Sequence, residues 1–142
     1  MASDASQLLR LHNPDGLFKP TALGFSQVAE IKRGKLIVLS GQVGWDADGN
    51  LVGTLDLAAQ TRQVFENIKR ALESSGATFA HVAKLTYYLA EPVDETSIPT
   101  VRQVRDQYLN KANPPASTLL VVSRLARPEW LIEIEATAVV ES

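Results

Sequence analysis

Alternation of apolar and polar residues predicts most of the strands of this chain. In residues 80–90 the alternating positions that share one face are Ala83, Leu85, Tyr87 and Leu89. A two-residue period of this kind is typical of a half-buried strand. Four other β-rich segments are predicted as strands: 26–32, 35–40, 117–125 and 131–140. The dipeptide Arg33-Gly34 between the first two of them predicts a hairpin.

Two segments show a helical period instead. From Leu57 to about Ser75, one face carries a stripe made of Leu57, Thr61, Val64, Ile68, Ala71 and Leu72. Asp56 is the predicted N-cap of this helix and Gly76 its C′ residue. A second helix is predicted from about Ile98 to Leu109, with Thr96 or Ser97 as its cap.

The order of these elements predicts an α+β domain in which one mixed sheet carries two helices on one face. The opposite face of the sheet would then be uncovered. We expect it to carry the apolar side chains of Val28, Val38, Leu120 and Val122. Burial by self-association would remove such a face from water.

Composition narrows the class of protein. With 142 residues, 45% of them hydrophobic, the chain is predicted to form one domain over residues 1–142. A formal charge of −2 and a pI near 5.7 argue against nucleic acid as a partner. The chain has no Cys, no signal-peptide pattern and no apolar run long enough to span a bilayer. We therefore expect a cytoplasmic protein with no membrane partner.

The sequence lacks the common catalytic motifs. His12 and His81 are isolated, so neither predicts a metal site, and Ser40 has no evident His base. Glu133 and Glu135 share one face of the last strand, about 7 Å apart by strand rise. They form either a solvated strand face or, if partly desolvated, a general acid and base with a raised pKa.

Several segments together resemble the Rid proteins, the reactive intermediate deaminases. This family is also called YjgF-like and often carries the name L-PSP endoribonuclease. The resemblance covers nearly the whole chain beyond residues 1–20, which form an N-terminal extension. It rests on GFSQ (24–27), LSGQVGWDADGNLV (39–52), the segment 60–91, NPPAST (113–118) and EIEATAV (133–139).

The resemblance implies a chorismate-mutase-like fold with a mixed six-stranded sheet. It also implies a homotrimer with a central barrel and ligand clefts between subunits. Members of the best-studied group hydrolyse imines and enamines to a 2-oxo acid and ammonia, without a cofactor or a metal. By the same resemblance, Ser40 and Gly41 would line the cleft, and Glu133 would hold or activate the hydrolytic water.

Two positions depart from the pattern of the deaminating members. Ser117 stands where their Arg binds the substrate carboxylate, and Phe25 replaces a Tyr. Both changes weaken recognition of an anionic imine. A serine cannot form the bidentate pair that a guanidinium forms with a carboxylate, and a phenylalanine lacks the tyrosine hydroxyl. Arg102 is a candidate replacement from the second helix. The alternative is that Arg102 pairs with Asp106 one turn later.

Two functional classes follow. The chain is either a cofactor-free imine or enamine hydrolase with an altered substrate preference, or a trimeric module that binds a small metabolite without catalysis. RNA cleavage has the least support, because the two isolated histidines do not form a catalytic pair and the negative charge of the chain is unsuited to binding phosphate.

Overall fold

The structure, a computed structural model, describes residues 4–142. Its helices are α1 (Leu57–Glu73) and α2 (Ser97–Arg105). Its strands are β1 (Leu9–His12), β2 (Val28–Ile31), β3 (Lys35–Gln42), β4 (Val82–Ala90), β5 (Ala116–Val122) and β6 (Ile132–Val140). Short 3-10 turns lie at Ala5–Gln7, Thr21–Leu23 and Phe79–His81. The predicted α+β class is therefore confirmed.

The strands form two sheets rather than the single six-stranded sheet that the family resemblance implied. The larger sheet has the order β3-β6-β4-β5, in which only β4 and β5 are parallel, so it is mixed as predicted. The smaller sheet pairs β1 with β2.

The predicted hairpin between β2 and β3 is wrong, because β2 pairs with β1 and β3 pairs with β6. Leu8 and Leu9 are buried against Val139, which draws the N-terminal segment onto the domain. The backbone N–H of Lys32 then donates to the Leu8 carbonyl at 2.7 Å. This segment gives β2 a pairing partner within the first 12 residues of the chain, which the alternation pattern did not reveal.

Helix α1 forms as its stripe predicts. The carboxylate of Asp56 accepts the Ala59 N–H at 3.0 Å and so caps the first turn. The helix ends at Glu73, and Gly76 supplies the positive φ of 76° that closes the turn. Of the predicted stripe, the members that are fully buried are Thr61, Val64, Ile68 and Leu72.

Helix α2 is shorter than predicted, because residues 106–109 continue as a turn. Thr96 occupies the N-cap position, but its side chain does not cap the helix. The local bonds come from Asp94, whose carboxylate accepts the Thr96 N–H at 2.8 Å, and from Ser97, whose hydroxyl oxygen accepts the Asp94 N–H at 3.0 Å. These contacts set the start of α2 and hence the positions of its arginines.

The core lies between the two helices and one face of the larger sheet. Its principal side chains are Phe65, Ile68, Leu72, Val101, Val104, Leu85, Tyr87, Leu89, Ile132, Ile134 and Ala136. On the other face, Val38 is 75% exposed, and Leu36 and Leu120 are also exposed. The predicted uncovered apolar face is therefore present in the isolated chain, except that Val28 belongs to the small sheet. Among residues 4–142, neither helix combines the length and apolar character needed to cross a bilayer.

A buried glutamine joins α1 to the loops that precede α1 and β6. Gln60 is fully buried, and its amide donates to the carbonyls of Gly53 and Glu129 at 3.0 and 3.1 Å. Its own carbonyl oxygen accepts the Leu131 N–H at 2.9 Å. All three partners are backbone groups of loops. The side chain therefore supplies the hydrogen bonds that such groups would otherwise make within a helix or a sheet.

We expect Gln60→Leu to lower the free energy of unfolding by about 2–4 kcal/mol, because it leaves buried backbone groups unpaired. Urea denaturation followed by circular dichroism measures the change. Gln107→Leu is the matched control, since Gln107 is exposed on the turn after α2. Equal stability of the two variants would contradict this role for Gln60.

Candidate active site

Glu133 lies on the uncovered face of the sheet, near the start of its central strand β6. Its strand partner is Tyr88 on β4. Its carboxylate lies directly against the backbone of Gly41, where a Cβ would collide with a carboxylate oxygen. Glycine at position 41 is thus required by close approach, and it allows the carboxylate to lie beside the end of β3.

The two glutamates of β6 have different environments. The Tyr88 hydroxyl donates to Glu135 Oε1 at 2.7 Å, which holds Glu135 in place. Glu133 has no hydrogen-bond partner within residues 4–142. Partial burial, and then the negative charge of Glu135, raise the pKa of the Glu133 carboxyl above its ordinary value. A raised pKa is what the second reading of this pair requires, and the catalytic role of Glu133 stays a prediction.

Two grooves meet at Glu133 and Gly41. The tryptophan groove, about 470 Å³, is lined by these two residues and by Gln42, Val43, Trp45, Asp46, Ala47, Asn67, Arg70 and Trp130. The carboxylate groove, about 600 Å³, is lined by the same two residues and by Tyr88, Val122, Arg124, Leu125, Ala126 and Glu135. Both volumes lie in the range of small-molecule sites. Ser40 is exposed beside Gly41 but lines neither groove.

The tryptophan groove has a rigid aromatic wall. The rings of Trp45 and Trp130 meet edge to face with centroids 5.0 Å apart. The Arg127 guanidinium lies 5.2 Å from the Trp45 centroid. Asn67 fixes the neighbouring loop by donating to the carbonyls of Val43 and Trp45 at 3.1 and 2.8 Å. These contacts join the two tryptophans, Arg127 and the loop of Trp45 on one side of Glu133.

The other predicted binding residues surround a separate cavity of about 130 Å³, which we call the arginine cavity. It is lined by Leu23, Phe25, Tyr87, Val101, Arg102, Arg105, Ser117 and Leu119. Thus Phe25, Arg102 and Ser117 do come together. Ser117 pairs with Leu85, a core residue on the helix-covered face, whereas Glu133 is on the opposite face. Within one chain, the predicted site is therefore in two parts.

The loop NPPAST positions one wall of the arginine cavity. The Ser26 hydroxyl donates to the Pro114 carbonyl, and the Ser26 N–H donates to the Pro115 carbonyl at 2.9 Å. Ser26 also forms an isolated parallel bridge with Ala116. These bonds set Phe25 next to Ser117.

A second arginine forms the floor of this cavity. The Arg105 side chain is only 11% exposed, and its Nε and Nη2 atoms donate to the Asp106 carboxylate at 3.1 and 2.9 Å. Its Nη1 atom donates to the Leu23 carbonyl at 3.1 Å. Gly24 makes room for the guanidinium, since a Cβ there would collide with it.

The expected alternative role of Arg102 is not found. Asp106 pairs with Arg105 and, at 3.8 Å, with Lys111. The Arg102 guanidinium makes no ion pair or hydrogen bond within residues 4–142, and the side chain lines the cavity beside Ser117. Its ability to bind a ligand stays a prediction.

The lining residues that were not predicted from the sequence include Arg105, Tyr87 and Tyr88. The spacing of Arg102 and Arg105, three residues apart on α2, was a usable signal, because such residues share a helix face. The alternation along β4 likewise places Tyr87 under the helices and Tyr88 with the glutamates. The Tyr87 hydroxyl has no partner in the described chain, and burial raises the pKa of this 3% exposed phenol.

The histidines take part in other contacts. His81 accepts the Thr78 N–H at 3.0 Å in the turn before β4, and His12 lies against Glu30 in the small sheet. Within residues 4–142, no cluster of three His, Cys, Asp or Glu side chains is placed to hold a metal ion.

Comparison with known proteins identifies the family. The family model described as "Endoribonuclease L-PSP" matches residues 19–140. Protein DfrA of Myxococcus xanthus is 36% identical over 84% of this chain and 88% of its own. The human 2-iminobutanoate/2-iminopropanoate deaminase is 33% identical over 84% of this chain and 83% of its own.

A solved structure gives the same assignment. A Rid-family protein of unknown function, YyfB from Yersinia pestis, has a TM-score of 0.85 and 39% identity over 93% of this chain and 98% of its own. The chain belongs to the Rid family, the family also named for L-PSP endoribonuclease.

We expect Glu135→Gln to lower the pKa of Glu133 toward its ordinary value, because the substitution removes the neighbouring negative charge. The pKa should stay somewhat raised, since the burial of Glu133 remains. Carbon-13 NMR titration of the glutamate side chains measures both effects. Glu95→Gln, in an exposed loop, is the control, and an unchanged Glu133 pKa in Glu135→Gln would contradict the coupling.

Proposed function

We propose that this protein is a cofactor-free hydrolase of imine or enamine intermediates, with Glu133 as its general acid and base. One observation carries the proposal: a half-buried carboxyl with a raised pKa and no internal partner lies where two ligand-sized grooves meet. A base whose pKa is moved toward neutrality is more effective in proton transfer. The similarity to the human imine deaminase supports the reaction class.

The reaction needs only water and one proton carrier. Glu133 would take a proton from a bound water as the water oxygen adds to the C=N carbon. The same carboxyl would return that proton to nitrogen, which gives a carbinolamine. It would then carry the hydroxyl proton to the amino nitrogen, so that the C–N bond breaks as the C=O bond forms and ammonia leaves a 2-oxo product. An enamine substrate first accepts a proton at its β-carbon and gives up one from nitrogen to become the imine. Gly41 serves this chemistry by letting substrate and carboxylate approach the backbone closely.

We further propose that the working form is a homotrimer with its clefts between subunits. Two observations support self-association. The uncovered sheet face exposes the apolar side chains of Leu36, Val38 and Leu120, and an apolar surface of this kind is unfavourable in water. In addition, Glu133 and the arginine cavity lie on opposite faces of one chain, so a ligand that contacts both requires two copies. The ligand is a small metabolite, as the size of the grooves indicates.

The substrate preference should differ from that of deaminases whose carboxylate-binding Arg lies on the strand equivalent to β5. Ser117 contributes a hydroxyl in place of a guanidinium, and Phe25 contributes no hydroxyl at all. The same substitutions favour the second candidate function, a module that binds a metabolite without turning it over. Retention of Glu133 and Gly41 in contact favours catalysis.

We expect Glu133→Gln to reduce ammonia release by at least about 100-fold, because general acid and base groups typically contribute 10²–10⁴-fold. The substrates are imines generated in situ by an amino acid oxidase, and ammonia is measured by a coupled assay. Glu95→Gln, in the exposed segment before α2, serves as the matched control and should retain the wild-type activity. Ammonia release by wild type that is unaffected in Glu133→Gln would exclude the mechanism, and no release by wild type would favour the binding module.

We expect Val38→Lys to dissociate the oligomer, because it places a charge on an apolar face that association would bury. Sedimentation velocity at several concentrations gives the mass of the species. Val52→Lys is the control, since this valine is partly exposed outside the face. A wild-type protein that sediments as a monomer would refute the trimer directly.

A further inference from the structure

We propose that the arginine cavity binds the carboxylate of the ligand, with the charged contact supplied by Arg102 on α2 and supported by Arg105. This deepens the proposed function and rests on it for the acidic nature of the ligand. The site differs from a guanidinium presented by β5, because its charges come from the helix that covers the sheet.

The balance of charge in the cavity is positive. Asp106 is the only carboxylate that pairs with these arginines in the described chain, and two of its contacts are with Arg105. Arg105 is further held by the Leu23 carbonyl and is nearly buried, so it is a fixed charge. Arg102 is left with a guanidinium that has no internal partner, and an anion is the group that it would bind.

Neutral donors lie in the same cavity. Tyr87 lines the cavity, and its hydroxyl has no hydrogen bond to any residue from 4 to 142, so it is available to a ligand. The Ser117 hydroxyl is the other donor on the sheet side. A carboxylate has two oxygens and accepts up to four hydrogen bonds, so it could use both the guanidinium and the hydroxyls.

The size of the cavity restricts the ligand. A volume of about 130 Å³ is well above the roughly 10–15 Å³ that one water molecule needs and below the roughly 300–1,000 Å³ of sites for drug-sized ligands. It accommodates a carboxylate with a few further atoms and is too small for a nucleotide. The short Ser117 side chain keeps the space open. An arginine at this position would fill it and add a third guanidinium beside Arg102 and Arg105.

A charge-relocation experiment tests the proposal. The probes are 2-oxobutanoate and its neutral analogue 2-oxobutanamide, with binding to the assembled protein measured by calorimetry. We expect Arg102→Ala to weaken the binding of 2-oxobutanoate by at least about tenfold and to leave the affinity for 2-oxobutanamide unchanged. Ser117→Arg alone should not strengthen binding. The double variant Arg102→Ala/Ser117→Arg should regain it, because one mobile guanidinium again faces the cavity.

Controls separate this role from a structural one. Gln103→Ala, exposed on the same helix, should bind both probes as wild type does, and thermal denaturation should show all variants folded. Unchanged 2-oxobutanoate affinity in Arg102→Ala, tighter binding in Ser117→Arg alone, or a folded double variant that stays weak would each overturn the proposal. Inorganic phosphate that competes with equal affinity and equal dependence on Arg102 would overturn the assignment to carboxylates.

The two proposals fail in different ways. Glu133→Gln should lose ammonia release while it retains affinity for 2-oxobutanoate. A wild-type protein that binds 2-oxobutanoate through Arg102 but releases no ammonia would refute the hydrolase and leave the carboxylate site standing. Ammonia release that depends on Glu133, together with an affinity for 2-oxobutanoate that is unchanged in Arg102→Ala, would refute the carboxylate site and leave the hydrolase standing.

Discussion

The alternation of side chains along β6 is the constraint on which the rest of the structure depends. This strand lies between β3 and β4, so its two faces determine what both neighbours contact. Ile132, Ile134 and Ala136 bind the helices to the sheet, while Glu133 and Glu135 occupy the other face. A shift of one residue would bury the glutamates under α1 and expose the isoleucines, so packing and chemistry share one register.

Close backbone approach then converts that register into a site. Gly41 on β3 allows the Glu133 carboxylate to lie against the main chain, and Tyr88 on β4 holds the second glutamate away. The two acidic groups thus become unequal although they are two residues apart on one strand. One carboxylate is fixed by a hydrogen bond, and the other is left partly desolvated and free to exchange a proton.

The sheet also separates the two kinds of chemistry. Glu133 is on the uncovered face, and the arginines of α2 are on the covered one. A thin barrier of β4 and β5 lies between them, so neither set of groups can serve the other within one chain. In the proposed oligomer this division has a chemical consequence in addition to the burial of apolar surface, because a neighbouring copy would supply the missing half of the site.

What the sequence determined was the set of strong periodicities and the family. Alternation on β4 and β6 and the stripe of α1 each bury a complete face, so the hydrophobic effect specifies them locally. Motifs such as EIEA and NPPAST are likewise visible without coordinates. The pairing of β2 with β1 was not visible, because short strands with little periodic signal choose partners by long-range contacts such as those of Leu8 with Val139. The meeting of Arg102, Arg105, Tyr87 and Ser117 in one cavity was also decided only by tertiary structure, since residues far apart along the chain become neighbours when α2 packs beside α1 over the covered face of the sheet.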